Sequence, residues 1–215
     1  FHNIVNYLKN RSPDFVIGRL HGPGALGLYN VSYEMANLPT TELSAPINRA
    51  LLPGFARLSD EPEQLRRIYT SAMSVLALLA VPAATGIFAL ADPIVSVALG
   101  AQWLAAIPLL QILAFNGALL MLHSSMSALL VGAGRVREVT GVSAAFVAIL
   151  VAALLLLTPR YGVVGAAFAS LATAVAATPI YLAMLRTRLG LPPWIFINAL
   201  TRPVIASGVM CVVLT

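Results

Sequence analysis

The sequence predicts an all-α protein, a polytopic transmembrane helix bundle, and three observations carry that expectation. Hydrophobic residues make up 59% of the 215-residue chain, against about 45–50% in a typical soluble domain. Charged residues are only 10%, where a water-facing surface uses about 25%. The third observation is where charge is missing: no Asp, Glu, Lys or Arg occurs in 68–91, 93–134, 139–159, 161–185 or 203–215. The first four of these stretches reach or exceed the roughly 20 apolar residues that cross a bilayer as a helix. Alternating ten-residue segments of the barrel type are absent and long apolar runs dominate, so helices are expected rather than strands. Soluble all-α and α/β folds are excluded.

Seven spans account for the chain. The first covers about 1–20 and is the least apolar. The second, about 24–52, is interrupted by Pro39 and Pro46, which would bend it. The others lie near 67–91, 104–132, 138–158, 161–185 and 198–215. Turn signals support the borders: Gly22-Pro23-Gly24, Asp92-Pro93, Thr158-Pro159 and Pro192-Pro193. The one long polar connector, Arg57 to Arg67 (RLSDEPEQLRR), holds Ser59, Pro62 and Glu63, which suit the start of a short surface helix. Gly24-x-x-Gly27 opens the second span and Gly162-x-x-Gly165 the sixth, each followed by a later proline, Pro39 and Pro179. Repeated units are frequent in transporters, and two small-residue helix starts also arise by chance. The small residues of 162–177 suit close helix packing.

The net charge of +5 would point to nucleic acid in a soluble domain. Here the basic residues gather between spans instead. Loops 53–67, 133–138 and 186–197 hold Arg57, Arg66, Arg67, Arg135, Arg137, Arg186 and Arg188. The alternate loops, near 20–24, 92–103 and 158–161, carry Arg160, with Arg19 at a helix end. Orientation signals explain that pattern without a nucleic-acid partner, and the positive-inside rule puts the first set in the cytoplasm. Residue 1 then starts on the cytoplasmic side and Thr215 heads outward. Cys211 is the single cysteine, so no intrachain disulfide is possible. The chain opens on Phe1 within a polar–apolar pattern and reads as part of a longer protein.

Thirteen of the charged residues nevertheless fall in 1–67, more than loops can take. A charge at bilayer depth costs about 2.5–3.5 kcal/mol even on the lenient insertion scale. In the first span Asn3, Asn6, Asn10 and Asp14 form one helical stripe, with Arg11 beside it and Lys9 away from it. Two readings stand: a helix lining a water-filled cavity, or a helix whose cytoplasmic half rises out of the membrane with Lys9 and Arg11 snorkelling. In the second span Asn30, Glu34, Asn37, Thr41 and Asn48 fall within about 60° of one another on a wheel, flanked by Glu42 and Arg49. They line a hydrophilic lumen shared with the first span, or Glu34 and Arg49 form ion pairs inside the bundle. In the fourth span Asn116, His123 and Ser127 share a face. A lone membrane histidine there reads more readily as a neutral packing residue than as a proton relay.

Catalytic and metal chemistry find no support. His2, His21, His123 and Cys211 lack ligand spacing. Gly132-Ala133-Gly134-Arg135 lacks the Lys and Ser/Thr of a phosphate loop, and no glycine-framed nucleophile surrounds His123-Ser124-Ser125. No metal, no cofactor and no enzymatic activity are expected.

The stretch DFVIGRLHGPGALGLYNVSYEMANLPTTELSAPINRALLPGFARLSD resembles the start of the C-terminal half of bacterial polysaccharide-unit flippases, members of the multidrug/oligosaccharidyl-lipid/polysaccharide exporter superfamily. PLLQILAFNGALLMLHSSMSALLVGAGR and RYGVVGAAFASLATAVAATPIYLAMLRT fit the same family in the same order. The resemblance implies a fourteen-helix, two-lobed transporter, with residues 1–185 as the second lobe and 186–215 as a cytoplasmic connector and the start of an extra helix. Ser12-Pro13 departs from the unbroken helix expected there. The resemblance also implies a bacterial inner-membrane location and alternating access. The substrate would be undecaprenyl-diphosphate-linked oligosaccharide, flipped outward for capsule, exopolysaccharide or O-antigen synthesis. Its partners would be membrane lipids and the polysaccharide polymerase and chain-length machinery.

Such a substrate needs a hydrated, partly cationic cavity. Arg11 and Arg49 would meet the diphosphate, arginine being suited to bidentate phosphate contacts, with Lys9 adding charge; Asn10, Asn37 and Asn48 would meet glycan hydroxyls. Asp14, Glu34 and Glu42 are the ion-coupling candidates, because a dry cavity and a nearby guanidinium act oppositely on a carboxylate's proton affinity. The alternative is that Glu34 and Glu42 merely neutralise arginines. A cation-coupled drug exporter of the same superfamily would prefer acidic and aromatic lining, and no aromatic cluster is expected here. A membrane enzyme of the same pathway would carry long outer loops, and these are short.

Overall fold

The computed structural model describes residues 2–58 and 61–214, with side chains over 7–9, 11–58 and 61–210. Among the described residues there are helices and connectors and no strand. In chain order they are α1 (His2–Pro39), a π-helical turn (Thr40–Ser44), α2 (Ala45–Arg57), α3 (Pro62–Ala89) and α4 (Ala91–Ala98). A 3-10 turn (Ala101–Ala106), α5 (Ile107–Gly132), α6 (Val136–Leu189) and α7 (Trp194–Leu214) follow. Three helical stretches, Pro62–Ala89, Ala101–Gly132 and Val136–Leu189, are long and apolar enough to cross a membrane.

Both α1 and α6 consist of two limbs. α1 breaks at Gly22 (φ 81°, ψ 179°) and α6 at Gly162 (φ 62°, ψ −145°), conformations that glycine takes without the Cβ penalty. The breaks are reversals rather than bends. A Cβ on Gly18 would stand 3.5 Å from Leu26 Cδ2, where a straight helix would separate the two residues by about 12 Å. A Cβ on Gly165 would collide with the Leu157 carbonyl across the second turn. The loops expected at 20–24 and 158–161 thus shrink to single-glycine turns, and the first falls at Gly22 rather than within Gly24-x-x-Gly27. Counted by limbs, the described residues make seven long passes: 2–21, 23–57, 62–89, 107–132, 136–161, 163–189 and 194–214. The all-α membrane bundle is the one expected.

Three local expectations change. Pro62 stands in the first turn of α3 itself, so the polar connector starts the third pass and not a separate surface helix. The expected loop 92–103 holds α4 and the 3-10 turn, joined through Gly100 (φ 91°). Pro13 lies inside the first limb, where the backbone stays helical.

Two sets of contacts define the ends of the bundle. His21 Nε2 donates to the Thr158 carbonyl oxygen at 3.1 Å, so both glycine turns lie at one end. At the other, Glu138 faces Arg135 (3.6 Å) and Arg188 (4.0 Å), and the Arg66 guanidinium lies 5.3 Å from the Trp194 ring centroid. The arginine-bearing loops therefore gather at a basic end, opposite the glycine end.

Lipid tails are as apolar as leucine, so helix association here rests on close packing and hydrogen bonds. α5 sits at the centre, against α1, α2, α3 and α6. Its glycines permit close approaches: a Cβ on Gly117 would stand 2.6 Å from the Ala36 carbonyl oxygen, and one on Gly132 2.7 Å from Phe55 Cβ. Leu109, Leu113, Met121 and Met126 are fully buried. Along the sixth pass the small residues Ala166, Ala169, Thr173 and Ala177 form the buried face, as their size anticipates.

Candidate functional site

The reversal at Gly22 brings the polar residues of the first two passes together. Asp14 and Asn30 lie equally far from the turn on opposite limbs, so they reach the same level. There a cleft of about 220 Å³ opens. Lys9, Arg11, Pro13 and Asp14 line it from the first pass, and Tyr29, Asn30, Tyr33 and Glu34 from the second. Asn116 and Leu120 of α5, Phe146 and Leu150 of the fifth pass and Ser170 of the sixth complete the wall. Counting rise along the limbs, Asp14, Glu34, Leu150 and Ser170 lie about 12–18 Å from the glycine turns. That is near the middle of a hydrocarbon core of about 30 Å.

Each charge in the cleft has a distinct setting. Arg11 Nη1 meets Asp14 Oδ2 at 2.9 Å, with the arginine side chain 65% exposed and the aspartate 22%. Lys9 Nζ stands 4.4 Å from the centroid of the Phe146 ring, a cation–π arrangement that holds an ammonium without neutralising it. Glu34 is exposed and takes no part in a salt bridge among the described residues. Tyr29 is buried and stacks on Tyr33 at 5.9 Å. Its hydroxyl is bonded to Ser170 Oγ at 2.8 Å, and Ser170 in turn donates to the Ala166 carbonyl. The result is a wall with charged groups beside hydrogen-bonded hydroxyl and aromatic groups.

The expected site residues divide. Arg11, Asp14 and Glu34 line the cleft. The side chains of Asn3, Asn6 and Asn10 lie outside the described residues. Asn37 is buried and donates to the Tyr33 carbonyl at 2.8 Å, with its Oδ1 turned towards Gly117. Asn48 sits where α2 meets α5, donating to Ser44 Oγ (3.0 Å) and Ser124 Oγ (2.8 Å). Arg49 and Glu42 are exposed, away from the cleft and without a salt bridge among the described residues.

The π-helical turn explains the split for the residues that follow it, Glu42, Asn48 and Arg49. The wheel drawn for residues 30–48 assumes 100° per residue throughout. A π turn winds less per residue, so Thr40–Ser44 rotates everything after it off the stripe. Pro39 immediately precedes this turn and lacks the amide that would bond the Met35 carbonyl, so the helix is one bond short where the π turn begins. Thr40 Oγ1 donates to the Gly117 carbonyl instead, at 2.9 Å.

The aromatic groups are the main departure from expectation. Tyr29, Tyr33 and Phe146 converge in the cleft, although no aromatic cluster was expected. Tyr29 and Tyr33 are four residues apart on one helical face, but Phe146 comes from a pass far away in sequence and no spacing rule links it to them. Asn116 reaches the cleft from the face it shares with His123. His123 itself is buried, stacks on Tyr181 at 5.0 Å and pairs with Thr178 Oγ1 at 3.0 Å, the setting of a packing residue.

With this geometry in place, comparison with known proteins is decisive for kinship. Residues 1–108 match the family described as polysaccharide biosynthesis protein. The chain belongs to the polysaccharide biosynthesis protein family. Within that family it is 33% identical over 134 residues to the lipopolysaccharide biosynthesis protein WzxC of Escherichia coli (strain K12), covering 62% of this chain and 27% of WzxC. It is 31% identical over 132 residues to the teichuronic acid biosynthesis protein TuaB of Bacillus subtilis (strain 168), covering 61% of this chain and 27% of TuaB. The matched region is thus about a quarter of the length of these relatives. Among solved structures, the lipid II flippase MurJ in its inward closed conformation superposes with a TM-score of 0.82 at 14% identity, over 99% of this chain and 46% of MurJ. This polysaccharide biosynthesis family member therefore has the fold of just under half of such a transporter, and it is a multi-pass membrane protein.

Proposed function

We propose that this chain is one lobe of a flippase that moves undecaprenyl-diphosphate-linked oligosaccharide from the cytoplasmic to the outer leaflet of the bacterial inner membrane, by alternating access, for capsule, exopolysaccharide or O-antigen synthesis. The observation that carries the reading is the mid-depth cleft, where Lys9 and Arg11 stand beside Asn30, Asn116 and Ser170 and an aromatic back wall. Charges near the bilayer centre are costly and mark binding sites; Asp14 offsets Arg11, which leaves Lys9 on the Phe146 ring without a carboxylate partner among the described residues. A diphosphate would take the cations, and glycan hydroxyls would take the amides and hydroxyls. Sugar rings would lie against Tyr29, Tyr33 and Phe146. The basic end faces the cytoplasm in this reading, and the tails stay in lipid. No bond is made or broken, so no catalytic group is required. Polysaccharide polymerase and chain-length proteins are the expected recipients of the product.

The aromatic lining also favours a second reading, a cation-coupled drug exporter, since Asp14 and Glu34 add the acidic groups such a substrate would want. Lys9 and Arg11 in the same wall oppose an organic cation, and kinship with polysaccharide biosynthesis proteins favours the first reading. The test is the full-length protein in vesicles loaded with a fluorescent polyprenyl-diphosphate oligosaccharide. Protein-dependent exposure of the sugar to an external quencher supports the flippase. Transport of a lipophilic cation, with no movement of the lipid-linked sugar, selects the exporter.

A further inference from the structure

Arg202 is the only charged residue in 194–214, and the mid-depth cleft does not use it: neither α3 nor α7 contributes to that wall. It lies eight residues beyond Trp194, about 12 Å into the pass. The arginine borders a separate open cleft of about 540 Å³ between α3 and α7, lined by Ser74 and Leu78 on one side and Asn198, Thr201 and Arg202 on the other. The flank around it is apolar and exposed, with Val75 at 50%, Leu78 at 59% and Ile205 at 69%. Among the described residues Arg202 has no salt-bridge partner.

A guanidinium in an exposed apolar flank at this depth needs a counter-charge, and its surroundings indicate which kind. Side chains on a helix lean towards its N-terminus, which for α7 is the basic end. Arg202 therefore leans towards the headgroup level of that leaflet. Ser74 Oγ and Thr201 Oγ1 donate to the carbonyls of Thr70 (2.9 Å) and Asn198 (3.0 Å). Helical N–H groups already serve those carbonyls, so the two hydroxyls can turn to a ligand without leaving a bare acceptor. A fork of guanidinium donors, two hydroxyls and an amide matches the several oxygens of a phosphodiester better than the two of a carboxylate.

We infer that the α3–α7 cleft binds the phosphate of an anionic phospholipid from the basic-end leaflet, with Arg202 as its counter-charge and the apolar flank against its acyl chains. The experiment uses the full-length protein in nanodiscs of mixed phosphatidylglycerol and phosphatidylcholine, with bound lipid counted by native mass spectrometry after stepwise delipidation. Wild type should retain phosphatidylglycerol preferentially. Arg202→Ala should weaken that retention about fivefold and leave phosphatidylcholine unchanged. Arg202→Lys should fall between them, because the charge stays and the planar fork is lost. Ser74→Ala, which removes no charge and no buried group, should weaken retention by a smaller factor. Equal retention by wild type and Arg202→Ala overturns the assignment. Equal retention of phosphatidylcholine, or retention of a polyprenyl diphosphate in place of the phospholipid, overturns it as well. Should Arg202→Ala fail to fold, Arg202→Lys and Ser74→Ala decide, and wild-type retention in both is fatal.

Discussion

Residues 30–34 and residues 41–49 belong to one pass and carry the same kinds of side chain: amides, a glutamate and, in the second case, an arginine. Only the first group faces the cleft. Asn30 and Glu34 line it with Lys9, Arg11 and Asp14, whereas Asn48 is spent on Ser44 and Ser124 and Glu42 and Arg49 are exposed elsewhere. What separates the groups is the π-helical turn at Thr40–Ser44, which rotates the lower half of the pass. Polarity inside a membrane helix therefore has two uses here, contact with a cargo and hydrogen bonding between helices, and helix phase decides between them.

Mutations sort the two groups. The largest effect belongs to the cations. Lys9→Ala with Arg11→Ala should slow flipping of the lipid-linked sugar in vesicles by about tenfold or more, on the scale of lost hydrogen bonds to charged groups. Arg49→Ala should stay within about twofold of wild type, inside the range of ordinary surface changes. If Arg49→Ala proves as damaging as the double change, the division of the pass fails. Coupling comes next. Glu34→Gln keeps size and hydrogen bonding while deleting the charge. It should abolish the acceleration of flipping by an imposed proton or sodium gradient, while Glu42→Gln preserves it. A wild-type gradient response in both variants would make both carboxylates structural, and loss in both would end the distinction between the two halves of the pass. A smaller effect sharpens the other side. Asn48→Ala removes two donated bonds at the α2–α5 contact and should lower stability by about 1–2 kcal/mol, read by thermal unfolding in detergent, with transport per folded molecule unchanged. The smallest is Thr40→Val, which loses the bond to the Gly117 carbonyl and should cost about 0.5–1.5 kcal/mol without altering substrate specificity.

Much of the fold is legible without coordinates because the bilayer imposes it. Charge-free runs such as 93–134 and 161–185 have no soluble alternative, and the passes fall close to their expected borders. Turn chemistry is legible too: Gly22 lies within the short loop expected at 20–24, and Gly162 lies one residue past the loop expected at 158–161. How tight these turns are is not, since a one-residue reversal depends on how closely the two limbs pack, as at Gly165 against Leu157. The candidate site is legible only in part. Arg11, Asp14 and Glu34 stand out because charge at depth is costly and therefore informative. Tyr29, Tyr33 and Phe146 do not, because an aromatic residue in a membrane helix carries no such cost and the meeting of the tyrosine pair with Phe146 is a tertiary event. Asn48, Glu42 and Arg49 share the cleft residues' chemistry, and the shift of phase after Pro39 is invisible to a regular wheel; Asn37 precedes that shift and is held instead on the Tyr33 carbonyl.

The central claim is that cargo passes the upper half of the second pass and not the lower half. A photo-reactive amino acid placed at Asn30 or, separately, at Arg49 of the full-length protein tests this directly, with labelled polyprenyl-diphosphate oligosaccharide in the membrane. The account predicts light-dependent transfer of the sugar label to the Asn30 variant and background labelling at Arg49. Strong labelling at Arg49 with none at Asn30 would contradict it.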